Sequence, residues 1–174
     1  MDVMKIWERI VALIPGEDST EILVVNHSQY HDPRPVPEIT ADLAHFLGSD
    51  LAVCRQRSRE ILGRSHFLPL PLQRDFLLLP MRLHPFPVRA RLACGYVVRK
   101  HLLMYQGTGP GVSRLYFTDG RSLTAYHSLR RIESFVAAAT MVHERYWHIY
   151  VVKPAPKQKL KEYPGISYLF PAGP

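Results

Sequence analysis

The chain has 174 residues, 47% of them apolar and 21% charged, enough for one domain with a sizeable core and too few for two comfortable ones. No run of about 18 uncharged apolar residues exists to span a bilayer, so a soluble protein without a membrane partner is expected. A formal charge of +7 favours a polyanionic partner, because Lys and Arg set against phosphates release condensed counterions.

The charge is concentrated. From Leu51 to His101 there are ten Arg or Lys (Arg55, Arg57, Arg59, Arg64, Arg74, Arg82, Arg89, Arg91, Arg99, Lys100) against two acids, Glu60 and Asp75. With only Cys54 and Cys94, a disulfide framework is not expected, and two buried reduced thiols fit a cytoplasmic protein.

In chain order, residues 3–14 read as a short amphipathic helix (Val3, Ile6, Trp7, Ile10, Ile14) that packs as an appendage and is closed by Pro15-Gly16. Glu8 and Arg9 interrupt what would be a signal-peptide apolar region, so no secretion is expected. Glu21 to Asn26 (EILVVN) predicts a strand, and the proline-dense HDPRPVP at 31–37 an extended connector. Thr40 is the expected N-cap of a helix with Leu43, Phe46 and Leu47 on its apolar face, ending at Gly48. A second helix over Ser49 to Leu62 gathers Leu51, Cys54, Ser58, Ile61 and Leu62 on one face and turns Arg55, Gln56 and Arg59 elsewhere.

Prolines 69, 71, 80, 85 and 87 exclude long helices between Ser65 and Tyr105, where FLPLPL, DFLLLP, CGYVV and HLLMY are strand-like runs. QGTGPG at 106–111 reads as a loop and lacks the Lys-Ser/Thr that a phosphate-cradling loop requires. Arg114 to Phe117 and Arg121 to Ala125, joined by Thr118-Asp119-Gly120, predict a hairpin, since Asp-Gly supplies positive φ. Ser128 caps a predicted helix from Leu129 to about Arg145 (Ile132, Phe135, Val136, Ala139, Val142), and Trp147 to Val152 reads as a last strand. The class is therefore α+β: a β-rich core sheet with an N-terminal helix pair and a packed C-terminal helix.

Two stretches resemble the ComK-type competence transcription factors. GSDLAVCRQRSREILGRSH, Gly48 to His66, matches without a gap the family stretch that begins Gly-Ser-Ser, passes a Gly-Arg-Lys element and ends in an apolar pair, Gly, Ser or Thr, and His. Gly48, Ser49, Gly63 and His66 are identical, Ser65 and Ile61-Leu62 are similar, and a strand ending in Pro80 follows as in the family. Tyr96 in CGYVV stands at or near the aromatic position of the family's tryptophan-containing strand. FTDGRSLTAYHSLRRIESFVAAA (117–139) is similar to the family's Phe-Asn-Asn-Gly-Lys-Thr-Leu hairpin and Ser-led helix through Phe117, Gly120, Leu123, Ser128, Glu133 and Ala139, with Arg121 for Lys and Ser122 for Thr. The resemblance, over roughly 40–145, implies a single ComK-like domain (1–174) with a divergent extension at 1–39 and a basic tail at 153–174. It implies an activator of DNA-uptake genes that binds A/T-rich duplex DNA through the minor groove, as a homo-oligomer on spaced boxes, with the tail a handle for a proteolytic adaptor.

This sequence departs from the family at Val53-Cys54-Arg55, where Gly-Arg-Lys is expected, and at His66-Phe67-Leu68-Pro69, where His-Lys-Pro-Pro is expected. Arg55, Arg57, Arg59 and Arg64 are the candidate principal DNA surface, with Arg89, Arg91, Arg99 and Lys100 contributing; His66 is read as structural, pairing with backbone near the Pro-rich turn.

No cofactor, metal or catalytic residue is expected. His27, His31 and Asp32, and the pair His143 and His148, have suggestive spacing, yet neither H-E-x-x-H nor C-x-x-C occurs. Two other classes stay open: a metal-dependent nuclease or other phosphoryl-transfer enzyme using Asp75, His66 or His84, and a non-DNA-binding paralogue acting as a protein-interaction module.

Overall fold

Ile10, Val11, Ala12 and Leu13 are all fully buried. Four consecutive buried positions do not fit an amphipathic helix, which hides one face only; they fit a strand covered on both faces. The expected helix over 3–14 is accordingly two 3-10 turns, Val3–Lys5 and Trp7–Arg9, followed by strand β1 (Ile10–Pro15). The structure, a computed structural model, describes residues 3–17, 19–85 and 94–152, with the backbone alone described for 148–152.

Far from being an appendage, β1 is an inner strand of a six-stranded antiparallel sheet ordered β3-β2-β1-β6-β5-β4. Strand β2 (Thr20–Val24) takes the place of the expected strand but ends before Val25 and Asn26, which turn. It pairs with β3 (Ser28–Asp32), which takes up the beginning of what reads as a connector. Asn26 and His27 make the turn between them at φ of 66° and 61°. Asn tolerates this left-handed region, so the reversal occurs without the glycine that would have advertised it.

Helix α1 (Val36–Phe46) begins four residues before Thr40, on the N-cap Pro35. Thr40 is a buried residue inside the helix, its hydroxyl donating to the Val36 carbonyl at 2.7 Å. The buried stripe is Val36, Ile39, Leu43 and Ala44, while Phe46 is exposed. Arg34 braces the entry by pairing with Asp32 at 2.7 Å and with Asp42.

Helix α2 (Leu51–Leu62) starts on Asp50, whose carboxylate accepts from the Ala52 and Val53 amides, and buries Cys54 and Ser58 as the pattern predicts. Next come β4 (Leu70–Gln73), β5 (Phe76–Arg82), which runs two residues past Pro80, and β6 (Cys94–Val98). Proline in β4 suits its edge position.

Strands β7 (Leu102–Gly109), β8 (Val112–Phe117) and β9 (Ser122–Ala125) form a second antiparallel sheet. The expected 106–111 loop contracts to Pro110-Gly111, because Gln106, Gly107 and Gly109 pair with Arg114, Ser113 and Val112. The Asp-Gly hairpin forms as predicted, with Gly120 at φ 86°. In its turn, Arg121 pairs with Asp119 at 2.6 Å and donates to the Val24 and Ser28 carbonyls, fastening the small sheet to the β2–β3 turn.

Helix α3 (Leu129–Val152) overrides the expected final strand. Ile132, Phe135, Ala139, Val142 and Tyr146 are buried at helical spacing, so the packed stripe carries the helix past Arg145 despite the β-branched residues beyond. It packs on α2, on β5 and on the small sheet, and the core is continuous across both sheets. The α+β class, with its helix pair and packed C-terminal helix, is as expected. Among the described residues no helix is long and apolar enough to cross a membrane.

Candidate nucleic-acid interface

A helix turns about 100° per residue, so residues four apart share a flank and residues two apart do not. Arg55 and Arg59 are therefore exposed together on the flank of α2 that faces β5 and β6. They line a cleft of about 210 Å³ with His66, Pro80, Cys94 and Tyr96. Burial pushes the Tyr96 hydroxyl up to about 12, against the opposing pull of a hydrogen bond from Arg55. Tyr96, chosen from sequence as the aromatic of β6, thus meets Arg55 directly, in the cleft that Arg59 also lines.

Arg57 falls on the opposite flank, its guanidinium 5.5 Å from the centre of the Tyr146 ring. Arg64, beyond the helix, leans toward α3 as well: it stands 5.8 Å from the Phe135 ring centre and donates to the Phe67 carbonyl at 3.2 Å. It opens a second cleft, about 580 Å³, which it shares with Arg130 and Arg131 of α3. Ser65, His66 and Phe67 line both clefts and join them into one surface. No Asp or Glu lines either cleft among the described residues.

His66 is exposed on this surface, not packed into the fold. Among the described residues the buried histidine is His127. Its Nε2 accepts the Arg82 amide at 3.0 Å, its carbonyl accepts the Ser113 hydroxyl at 2.8 Å, and its ring meets Phe67 and Phe135 edge-on. Phe67 itself sits at φ 51°, a backbone state uncommon for an aromatic residue, which seats its ring on Phe135 at 5.0 Å.

Burial, helped by the charges of Arg82 and Arg131, pulls His127 from its ordinary 6.5 down to about 4. Between these values the unfolded chain holds a proton that the folded chain excludes, so stability falls as pH falls. The contribution is complete above pH 6.5 and gone near pH 4, a loss of about 3 kcal/mol. Urea unfolding at neutral and acid pH measures it: His127→Gln removes this part of the pH dependence, and identical slopes in the two proteins would assign the effect to another group.

Two further candidates stand apart from the joined surface. Arg99 and Lys100 line a third cleft, about 250 Å³, where Arg74 is accompanied by Asp75, His143 and Glu144. Arg89 and Arg91, and the tail 153–174, lie outside the described residues. Asp75 and His66, candidates for phosphoryl chemistry, line different clefts, and His84 follows β5. The Asp32 carboxylate is held by Arg34, which keeps it below the usual carboxylate range. Among the described residues, no group of three or more His, Cys, Asp or Glu is placed to hold a metal ion. Cys54 and Cys94 are free thiols raised by burial, the latter to about 11.

Arg130 and Arg131 were not among the sequence candidates. The Arg-Arg pair was legible, but it falls outside the basic segment 51–101, and only the packing of α3 against α2 brings it to Arg64. Fold and site together define a basic α+β domain with an arginine-lined double cleft that no carboxylate lines among the described residues. Comparison with family models, curated proteins and solved structures returned no match.

Proposed function

We propose that this protein is a cytoplasmic DNA-binding transcription regulator of the ComK type, activating DNA-uptake genes from A/T-rich sites and acting by binding without chemistry of its own. The observation that carries this reading is the joined surface around Ser65–Phe67, where Arg55, Arg59, Arg64, Arg130 and Arg131 gather with no carboxylate lining it among the described residues. A surface serving only solubility has no need to exclude acids; one that meets a polyphosphate does.

The two stretches of resemblance add to this. One supplies α2 and the turn after it, the other the β8–β9 hairpin and the start of α3, and both contribute to the double cleft. Arginine suits a narrow A/T minor groove, whose negative potential is enhanced and whose A·T and T·A edges are nearly alike. Recognition then rests on groove width and box spacing, which calls for more than one copy on the duplex.

An electrophoretic shift on A/T-rich and G/C-rich duplexes over a salt series tests the reading. Tighter A/T binding with a steep linear fall of log K against log salt is expected. Equal weak binding to both duplexes would reject the regulator, and metal-dependent cleavage of labelled DNA would replace it with the phosphoryl-transfer enzyme.

A further inference from the structure

The larger cleft has features that a general basic surface does not need. Arg64 and Arg131 stand beside the same Phe135 ring, each 5.8 Å from its centre, and Arg131 also stands 5.5 Å from that of Phe67. Two like charges are thus gathered at one aromatic ring. Arg64 shows the cost: burial and the Arg131 charge lower its pKa, and its buried Nε has no hydrogen-bond partner among the described residues. An arrangement that is unfavourable when empty becomes favourable when an anion neutralises it.

Besides His66, the other polar side chains around the cleft can donate. Arg130 adds a third guanidinium, and Ser65, Ser128 and Ser134 add three hydroxyls. The Ser128 carbonyl accepts from the Arg131 and Ile132 amides, so Ser128 stands at the start of α3. The positive end of that helix therefore faces the same space. Phe67, held at φ 51°, stacks on Phe135 of α3, and its carbonyl accepts from Arg64, so the 64–67 turn is held against α3.

We propose that the cleft between Arg64, Arg130 and Arg131 is a dedicated phosphate site, taking the tetrahedral oxyanion of a phosphate ester. Three forked guanidiniums and three hydroxyls supply more donors than a carboxylate accepts, and suit an anion with oxygens in several directions. Two sources offer this chemistry: a backbone phosphate of bound DNA, or the phosphate of a small ester that competes for the same cleft. The first source rests on the regulator reading above. The site itself does not.

Titration calorimetry of the full chain with inorganic phosphate, at constant ionic strength set by chloride, is the primary test. Saturable binding is expected, displaced by sulfate, and weakened about tenfold or more in Arg131→Gln and in Arg130→Gln. Arg130→Gln covers the case in which loss of Arg131 from the rings unsettles the fold, which circular dichroism reports. No saturable binding by the wild type, or undiminished binding by a folded Arg130→Gln, overturns the proposal.

Duplex affinity of the same variants then separates the sources. Weakened DNA binding assigns the site to the backbone, and unchanged DNA binding with lost phosphate binding assigns it to a small ester. If phosphate binds and DNA does not bind even to the wild type, the regulator reading falls and the site stands. If DNA binds and phosphate does not, the site falls alone.

Discussion

Alanine at Arg55, Arg59 and Arg64 together is expected to lower duplex affinity about 100-fold or more at 0.1 M salt and to reduce the slope of log K against log salt by about three. Each arginine set on a phosphate displaces close to one condensed counterion, and at that salt concentration each displacement is worth nearly a factor of ten. The three are chosen because they line the joined clefts, Arg55 and Arg59 on one side of Ser65–Phe67 and Arg64 on the other. Arg57 serves as the internal comparison. Its guanidinium lies over Tyr146 on the other flank of α2, so Arg57→Ala is expected to act on stability through lost stacking and to leave the slope nearly unchanged. Electrophoretic shift or fluorescence anisotropy across a salt series reads both quantities. A triple variant with wild-type slope would show that the clefts do not face the DNA.

The second large effect is on the fold. Gly95→Ala is expected to cost about 3 kcal/mol and to lower the melting temperature by roughly 10 °C. A methyl group at Gly95 would lie 2.5 Å from the Leu13 carbonyl oxygen and 2.9 Å from both Leu83 Cδ1 and Pro15 Cδ. The first of these is backbone and cannot swing aside. Gly95 is in β6, next to the short seam where Ala12 and Leu13 of β1 meet Val97 and Tyr96. Pushing these strands apart separates the β1–β3 half of the large sheet from the β4–β6 half. Gly109→Ala, with nothing within 4 Å, is the control and is expected to stay within about 0.5 kcal/mol. Scanning calorimetry of both variants decides; a Gly95→Ala protein as stable as the control would show that the seam is not closed as described.

Where one short-range rule governed a segment, the sequence was readable. Helix α2 announced itself by the buried Cys54 and Ser58 and by arginines turned outward, and the β8–β9 hairpin by Asp119-Gly120. The strands of the 65–105 region were marked by prolines that forbid helices. Misreadings came where packing overruled pattern. Residues 10–14 carry apolar side chains at spacings that suit a helix, but strand neighbours on both edges and cover on both faces make them an inner strand. Trp147 to Val152 have the composition of a strand, yet they continue a helix already nucleated and packed from Leu129 onward.

The candidate site divides in the same way. Net charge, its concentration in the middle of the chain and the exposure of Arg55 and Arg59 followed from sequence alone, because composition is a local property and helical phase is fixed by the turn angle. Which cations act together did not follow. Arg57 and Arg99 were drawn away from the surface to which Arg130 and Arg131 were brought, across more than 60 residues of chain, by the packing of α3 on α2. The sequence by itself determined that this is a basic α+β domain with arginines on the outside of its second helix. Only the tertiary structure decided that two arginine-lined clefts meet at Ser65–Phe67, since convergence of side chains distant in the chain is set by the burial of the apolar faces beneath them.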